Sequence, residues 1–113
     1  MINENSIEYF NDRLTFDYTK TKDLSASQKD KIRNHGSKAE NLLTNKDFAM
    51  FVHQFKFEVI DQLSNIRGHT PEENQLRIAL SNELTGIDNF INTLKRAVFY
   101  KNKIGNSDID EAQ

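Results

Sequence analysis

Between residues 70 and 104 the chain carries one long helical pattern. Leu80, Leu84, Ile87, Ile91, Leu94 and Val98 recur at steps of 4, 3, 4, 3 and 4. That spacing keeps one apolar seam on a helix and dictates lengthwise packing against another helix. A chain committed to such a seam over some 34 residues is constrained to an all-α fold. The composition agrees: a single proline (Pro71), four glycines and 28% charged residues favour long solvated helices over a turn-rich β fold.

The seam's partner is read just upstream. Phe48, Phe51, Val52, Phe55, Val59, Leu63 and Ile66 form a broad apolar stripe, and Phe57 with Ile60 lie off its centre. Asn45 is the expected N-cap, with Asp47 in the first turn where the helix dipole favours negative charge. Gly68 is expected to end this helix as a left-handed C-cap. Two residues later Thr70, Pro71 and Glu73 provide an N-cap, an N1 proline and a capping box. So short a connection makes the two helices antiparallel neighbours, giving a hairpin of 46–67 against 71–104.

A further helix is expected from Ser25, whose spacing to Gln28 is that of a capping box. Ile32, Ala39, Leu42 and Leu43 give it an apolar face, and Gly36 marks either a close helix crossing or a break. The longest helix outreaches its hairpin partner, and its second stripe of Phe90, Ala97 and Ile104 also needs cover. The first helix, folding back as a three-helix bundle, supplies part of that cover, and another subunit supplies the rest. Gly86 is a weak point or a close-packing site. Gly105 and Asn106 are expected to stop the helix.

The expected organisation is therefore an extended N-terminal arm over 1–24, a helical bundle domain over 25–105 and a flexible acidic tail over 106–113. Within the arm, Ile7, Phe10 and Leu14 suit one face of a short helix. Leu14, Phe16 and Tyr18 alternate in a strand-like way, but no second alternating run exists to pair with them. The arm aromatics are read as docking on the helices, or on a neighbouring subunit.

Charge and motif arguments narrow the function. Net charge is −2, which gives no global attraction to nucleic acid or anionic membrane. No window approaches the ~20 apolar residues of a membrane span. Met1, Ile2, Asn3, Glu4 and Asn5 form neither a basic nor an apolar run, so no signal peptide is expected. Cysteine is absent, which removes disulfides and thiolate metal sites. His35, His53 and His69 lie in three segments without ligand spacing, and no HExxH, Glu-x-x-His pair, GxSxG elbow or phosphate-binding glycine loop occurs. Glu72 and Glu73 suit a helix N-terminus better than a metal cluster. The reading is a non-enzyme with no cofactor, metal or small-molecule substrate. Lys20, Lys22, Lys29, Lys31, Arg33 and Lys38 make the first helix region positive, and Lys95, Arg96, Lys101 and Lys103 do the same for the end of the longest helix. If the two clusters meet, they offer phosphate contacts, with Lys95, Arg96, Lys101 and Lys103 as the candidates.

The run Ala39, Glu40, Asn41, Leu42, Leu43, then Phe48, then a hairpin reading RIALSNEL from Arg77 to Leu84 and IDNF from Ile87 to Phe90, resembles a known group. Small helical proteins of the structural and packaging gene cluster of tailed bacteriophages carry an AExLL helix end, a phenylalanine-led helix and an RxxLxxELxxID helix in this order. The resemblance covers about residues 38–98 and consists of helix-packing residues, with no catalytic residues to carry over. It implies a virion component or assembly factor, assembled in the host cytoplasm and acting through contacts with itself or with a larger virion protein. Phe16, Tyr18, Phe90, Phe99 and Tyr100 are the candidate interface residues, because aromatics dominate interface energetics. The alternatives are a nucleic-acid-binding packaging factor resembling a small terminase subunit, and a phage-encoded inhibitor of a host protein.

Overall fold

The structure, a computed structural model, describes the backbone of residues 6–112 and the side chains of residues 6–106. Four α-helices follow in order: α1 (Ser6–Asp12), α2 (Ala26–Leu43), α3 (Lys46–Ser64) and α4 (Pro71–Ala112), with one 3-10 turn (Thr21–Asp23) before α2. No strand occurs among the described residues. The long antiparallel hairpin, the shorter third helix and the all-α class are as the sequence implies.

Local chemistry fixes the helix starts. The Ser25 hydroxyl accepts the Gln28 N–H (3.1 Å) and the Gln28 side chain accepts the Ser25 N–H (2.9 Å), closing a capping box at α2. Asn45 Oδ1 accepts the Phe48 N–H at 2.9 Å to open α3. At α4 the Thr70 hydroxyl accepts the Glu73 N–H at 3.2 Å, and the Glu73 carboxylate accepts the Thr70 N–H (3.4 Å) and the Gly68 N–H (2.8 Å). Arg77 closes the same turn from the other side by donating to the Gly68 and Ile66 carbonyls.

The helix ends differ from the sequence reading. Gly68 is not a left-handed C-cap: α3 stops at Ser64, Asn65 caps it in right-handed conformation, and no described glycine has a positive φ. What Gly68 supplies is room, since a Cβ there would run into the Glu73 carboxylate. Nor does Gly105 stop α4, which runs on to Ala112 through the segment expected to be a flexible tail. The cost of a helical glycine, about 1 kcal/mol, is smaller than the gain from Ile104 beside it, which is fully buried.

The register of α4 against its neighbours explains the shape. Arg77 reaches the turn after α3, Lys56 pairs with Asp88 at 3.0 Å, and the Phe48 ring meets Phe90. Farther along α4, Ala39 packs with Leu94 and Ala97, Glu40 pairs with Lys101 at 2.6 Å, and Arg33 and Ser37 lie beside Gly105 and Asn106. Both α2 and α3 thus run antiparallel to α4, one after the other, and they meet only near their junction. The first helix of the expected bundle, α2, does fold back on α4, and it shares a core cluster with α3 only where Leu43 and Phe48 meet Ala39, Leu94 and Ala97. Helices of 18 and 19 residues laid consecutively span about 55 Å, close to the ~63 Å of the 42-residue α4, at ~1.5 Å per residue.

Gly36 is a close crossing and not a break. Helix α2 is continuous through it, the site is buried, and an added Cβ would lie 2.7 Å from the Ala97 carbonyl oxygen and against Lys101 Cβ. Gly36, Ala39 and Ala97 bring α2 closer to α4 than the phenylalanine-rich α3 can come.

The arm is only partly as expected. Helix α1 buries none of its residues, so Ile7 and Phe10 stay exposed and do not form a docked face. The strand-like stretch is irregular. Leu14, Phe16 and Tyr18 are half-buried, and Thr19 donates from its N–H (3.0 Å) and hydroxyl to the Asp17 carboxylate, turning the chain toward α2. Residues 1–5, on which the absence of a signal peptide was argued, lie outside the described residues, as does Gln113.

Candidate interaction surface

Helix α4 has two apolar stripes. The seam read from the sequence faces α3 over Leu80, which is buried, and half-buried Leu84 and Ile87; farther along, Leu94 is buried against Ala39 of α2, with half-buried Ile91 and Val98 beside it. The second stripe takes strict steps of seven through Leu76, Glu83, Phe90, Ala97 and Ile104, and steps of seven return to the same helix face. Helix α2 covers its C-terminal half, burying Ala97 and Ile104. Toward the N-terminus α2 ends, and the stripe continues without cover: Phe90 is 46% exposed and Leu76 48%.

Helix α3 contributes the other wall. Its Phe48, Val52, Val59 and Leu63, and Ile66 just beyond its end, are the less exposed positions, with Val59 buried, whereas helical spacing sets Phe51 (65% exposed) and Phe55 (39%) on the flank away from Ala49, His53 and Lys56. Phe48 meets Phe90 edge-on with ring centroids 6.3 Å apart, a favoured aromatic geometry. Gly86 lies between Phe90 and Glu83, and nothing comes within 4 Å of where its Cβ would be. The result is an open aromatic trough on the stripe of α4 that α2 covers farther along. Asp47, Glu58, Glu72 and Glu83 are the charges that helical spacing places along it.

The candidate interface residues separate into two groups. Tyr18 and Tyr100 are half-buried and spent on each other, edge-on at 5.2 Å, which fastens the arm to α4. Phe16 is half-buried in the same arm. Phe90 and Phe99 remain available. Phe99 is 58% exposed, with one edge against Tyr100 at 5.1 Å, on the face of α4 opposite α2. Phe51, Phe55 and Leu76 were missed in the sequence. The signal for Leu76 was present, since it extends the Phe90, Ala97, Ile104 stripe by two further steps of seven.

The candidate phosphate contacts do not converge. Lys101 is tied to Glu40, Lys103 sits 5.8 Å from the Tyr100 ring centroid, and Lys95 borders a groove shared with Lys56 and Asp88. Arg96 and Lys103 share the Phe99 face by helical spacing; Lys95 lies at its edge, and Lys101 points elsewhere. The groove beside Lys95, about 420 Å³, lies between α3 and α4 on the side away from the trough and is lined by Phe48, Val52, His53 and Ile91.

The carboxylates with displaced titration are turn formers. Hydrogen bonds from the Thr70 hydroxyl and the Gly68 N–H hold Glu73 below the usual carboxylate range, and Thr19 does the same to Asp17. Among the described residues no three His, Asp or Glu side chains come together in a way that could hold a metal ion, and no helix is long and apolar enough to cross a membrane. Comparison with protein-family models, with curated proteins and with solved structures finds no match to this chain.

Proposed function

We propose that this chain is a non-catalytic structural or assembly protein of a tailed bacteriophage, acting in the virion through helix-mediated subunit contacts. The observation that supports contact as its role is the aromatic trough: a stripe of α4 that is buried where α2 lies on it and about half exposed where α2 ends. The largest apolar patch on a small protein is often a functional one. The phage setting comes from the sequence resemblance over residues 38–98. The partner is a copy of the chain or a larger virion protein.

The test is the solution mass across a concentration series, together with incorporation into particles, for the wild type and for Phe51→Asp with Phe90→Ala. The reading expects the variant to keep its helical content and lose the contact. A folded variant that assembles like the wild type sinks it.

A second reading, a nucleic-acid-binding packaging factor, is favoured by one observation. Arg33 of α2 and Lys101 of α4 border one hollow, so one basic residue from each cluster shares a surface there. Residues 13–43 and 91–106 together hold eleven basic and four acidic side chains, a net +7 concealed by the overall −2. This reading expects DNA affinity that falls steeply with salt and weakens when Lys95, Arg96, Lys101 and Lys103 become alanine. Binding that is absent or indifferent to salt rejects it.

A further inference from the structure

We infer that the occupant of the aromatic trough is the Phe99 face of α4 from a second copy of this chain, joined head to tail. This deepens the contact reading above and rests on it. Three observations lead there.

The first is area. Taking ~200 Å² for a whole aromatic side chain, Phe51, Phe55 and Phe90, with Leu76, leave about 400 Å² of apolar surface uncovered in the trough. A standard interface buries ~800 Å² on each partner, a little over half of it apolar. The trough therefore carries close to the apolar share of one such interface, while the facing surface supplies the single exposed ring of Phe99, about 120 Å² by the same measure, among polar side chains.

The second is charge. The trough's stripes carry Asp47, Glu58, Glu72 and Glu83 and no basic residue. On the back of α4, Asn92, Arg96, Phe99, Lys103 and Asn106 follow at steps of 4, 3, 4 and 3, with Lys95 at the edge. An aromatic ring set among cations thus fits an aromatic trough set among carboxylates, the arrangement that steers and selects partners. Two troughs meeting about a two-fold axis would bring Glu58 and Glu83 of both copies together, which like-charge repulsion disfavours.

The third is shape. The trough lies on the stripe of α4 that α2 covers farther along, so a helix laid on it would extend the cover that α2 begins. The back of α4 beside Phe99 is a straight helical surface, and it lies opposite α2, so its use by a neighbour disturbs no intramolecular packing. A contact between two different faces is heterologous. It propagates from copy to copy, closing into a ring or extending as a filament.

The experiment is light scattering on the full chain over a concentration series at low and high salt, with two charge-reversed variants checked for helical content by circular dichroism. One carries Glu58→Lys and Glu83→Lys, the other Arg96→Glu and Lys103→Glu. The wild type is expected to associate at low salt and to dissociate as salt screens the contact. Each variant alone is expected to remain at the 13.1 kDa of the single chain, its association weakened at least about tenfold. Mixing the two in equal amounts is expected to restore association. If the Arg96 and Lys103 variant alone associates like the wild type, the head-to-tail contact is wrong, while a trough-mediated self-contact survives provided Phe51→Asp abolishes it. If the wild type stays monomeric, with or without DNA bound, a second copy is not the occupant. Particle incorporation of Phe51→Asp then decides the contact reading separately.

Discussion

Gly36 and Gly86 have the same residue type and opposite surroundings. Alanine in place of a mid-helix glycine ordinarily stabilises by about 0.5–1 kcal/mol. At Gly86 the space is open, so Gly86→Ala is expected to gain that much in chemical denaturation of the monomer. At Gly36 the Cβ meets the Ala97 carbonyl, which is backbone and cannot swing aside. Gly36→Ala is therefore expected to cost about 1–3 kcal/mol, the usual range for overpacking. Glu73 gives a second residue-scale expectation. Its carboxyl titrates lower in the folded chain than in the unfolded one because Thr70 and Gly68 donate to the charged form. The stability this confers is complete above the unfolded value and is lost as pH falls through the folded one. Melting curves below about pH 4.5 should consequently fall more steeply for the wild type than for Glu73→Gln, and a variant with the same acid dependence would refute the assignment.

The elements show what a sequence does and does not disclose. Helix starts were legible because Ser25, Gln28, Asn45, Thr70 and Glu73 act on amides within three residues of themselves. Helix ends were not, because Gly68 and Gly105 carry only a local preference, and the outcome depends on what packs nearby: a carboxylate at Gly68, the buried Ile104 beside Gly105. Whether Gly36 crossed or broke its helix depended on Ala97, some sixty residues away. The second stripe of α4 was legible, and so was its need for cover, but where α2 stops covering it depends on α2 and α3 lying in sequence and not side by side. The exposed side of α3 was anticipated only as apolarity on more than one side. Two substitutions separate core from contact surface. Ile104→Ala, at a fully buried position, is expected to cost the monomer about 2–5 kcal/mol. Phe51→Ala should leave monomer stability within about 0.5 kcal/mol while weakening association.

The whole molecule is a rod of 63 × 32 × 27 Å with a Cα radius of gyration of 19.0 Å, against about 13 Å for a compact chain of this length. Small-angle scattering of the dilute monomer should return the larger value; a result near the smaller would mean that the helices fold back on one another. The layout also separates charge, net −3 over residues 44–90 and net +7 over residues 13–43 taken with 91–106. Helices α2 and α3 share α4 and touch each other only where Leu43 and Phe48 pack on the cluster of Ala39, Leu94 and Ala97. The chain should therefore melt in two steps coupled through α4 and that cluster. In amide exchange, α3 and the first half of α4 would open as one unit. The tighter crossing at Gly36 would keep α2 and the second half of α4 closed for longer, so that the end bearing the trough is also the end free to adjust to what it meets.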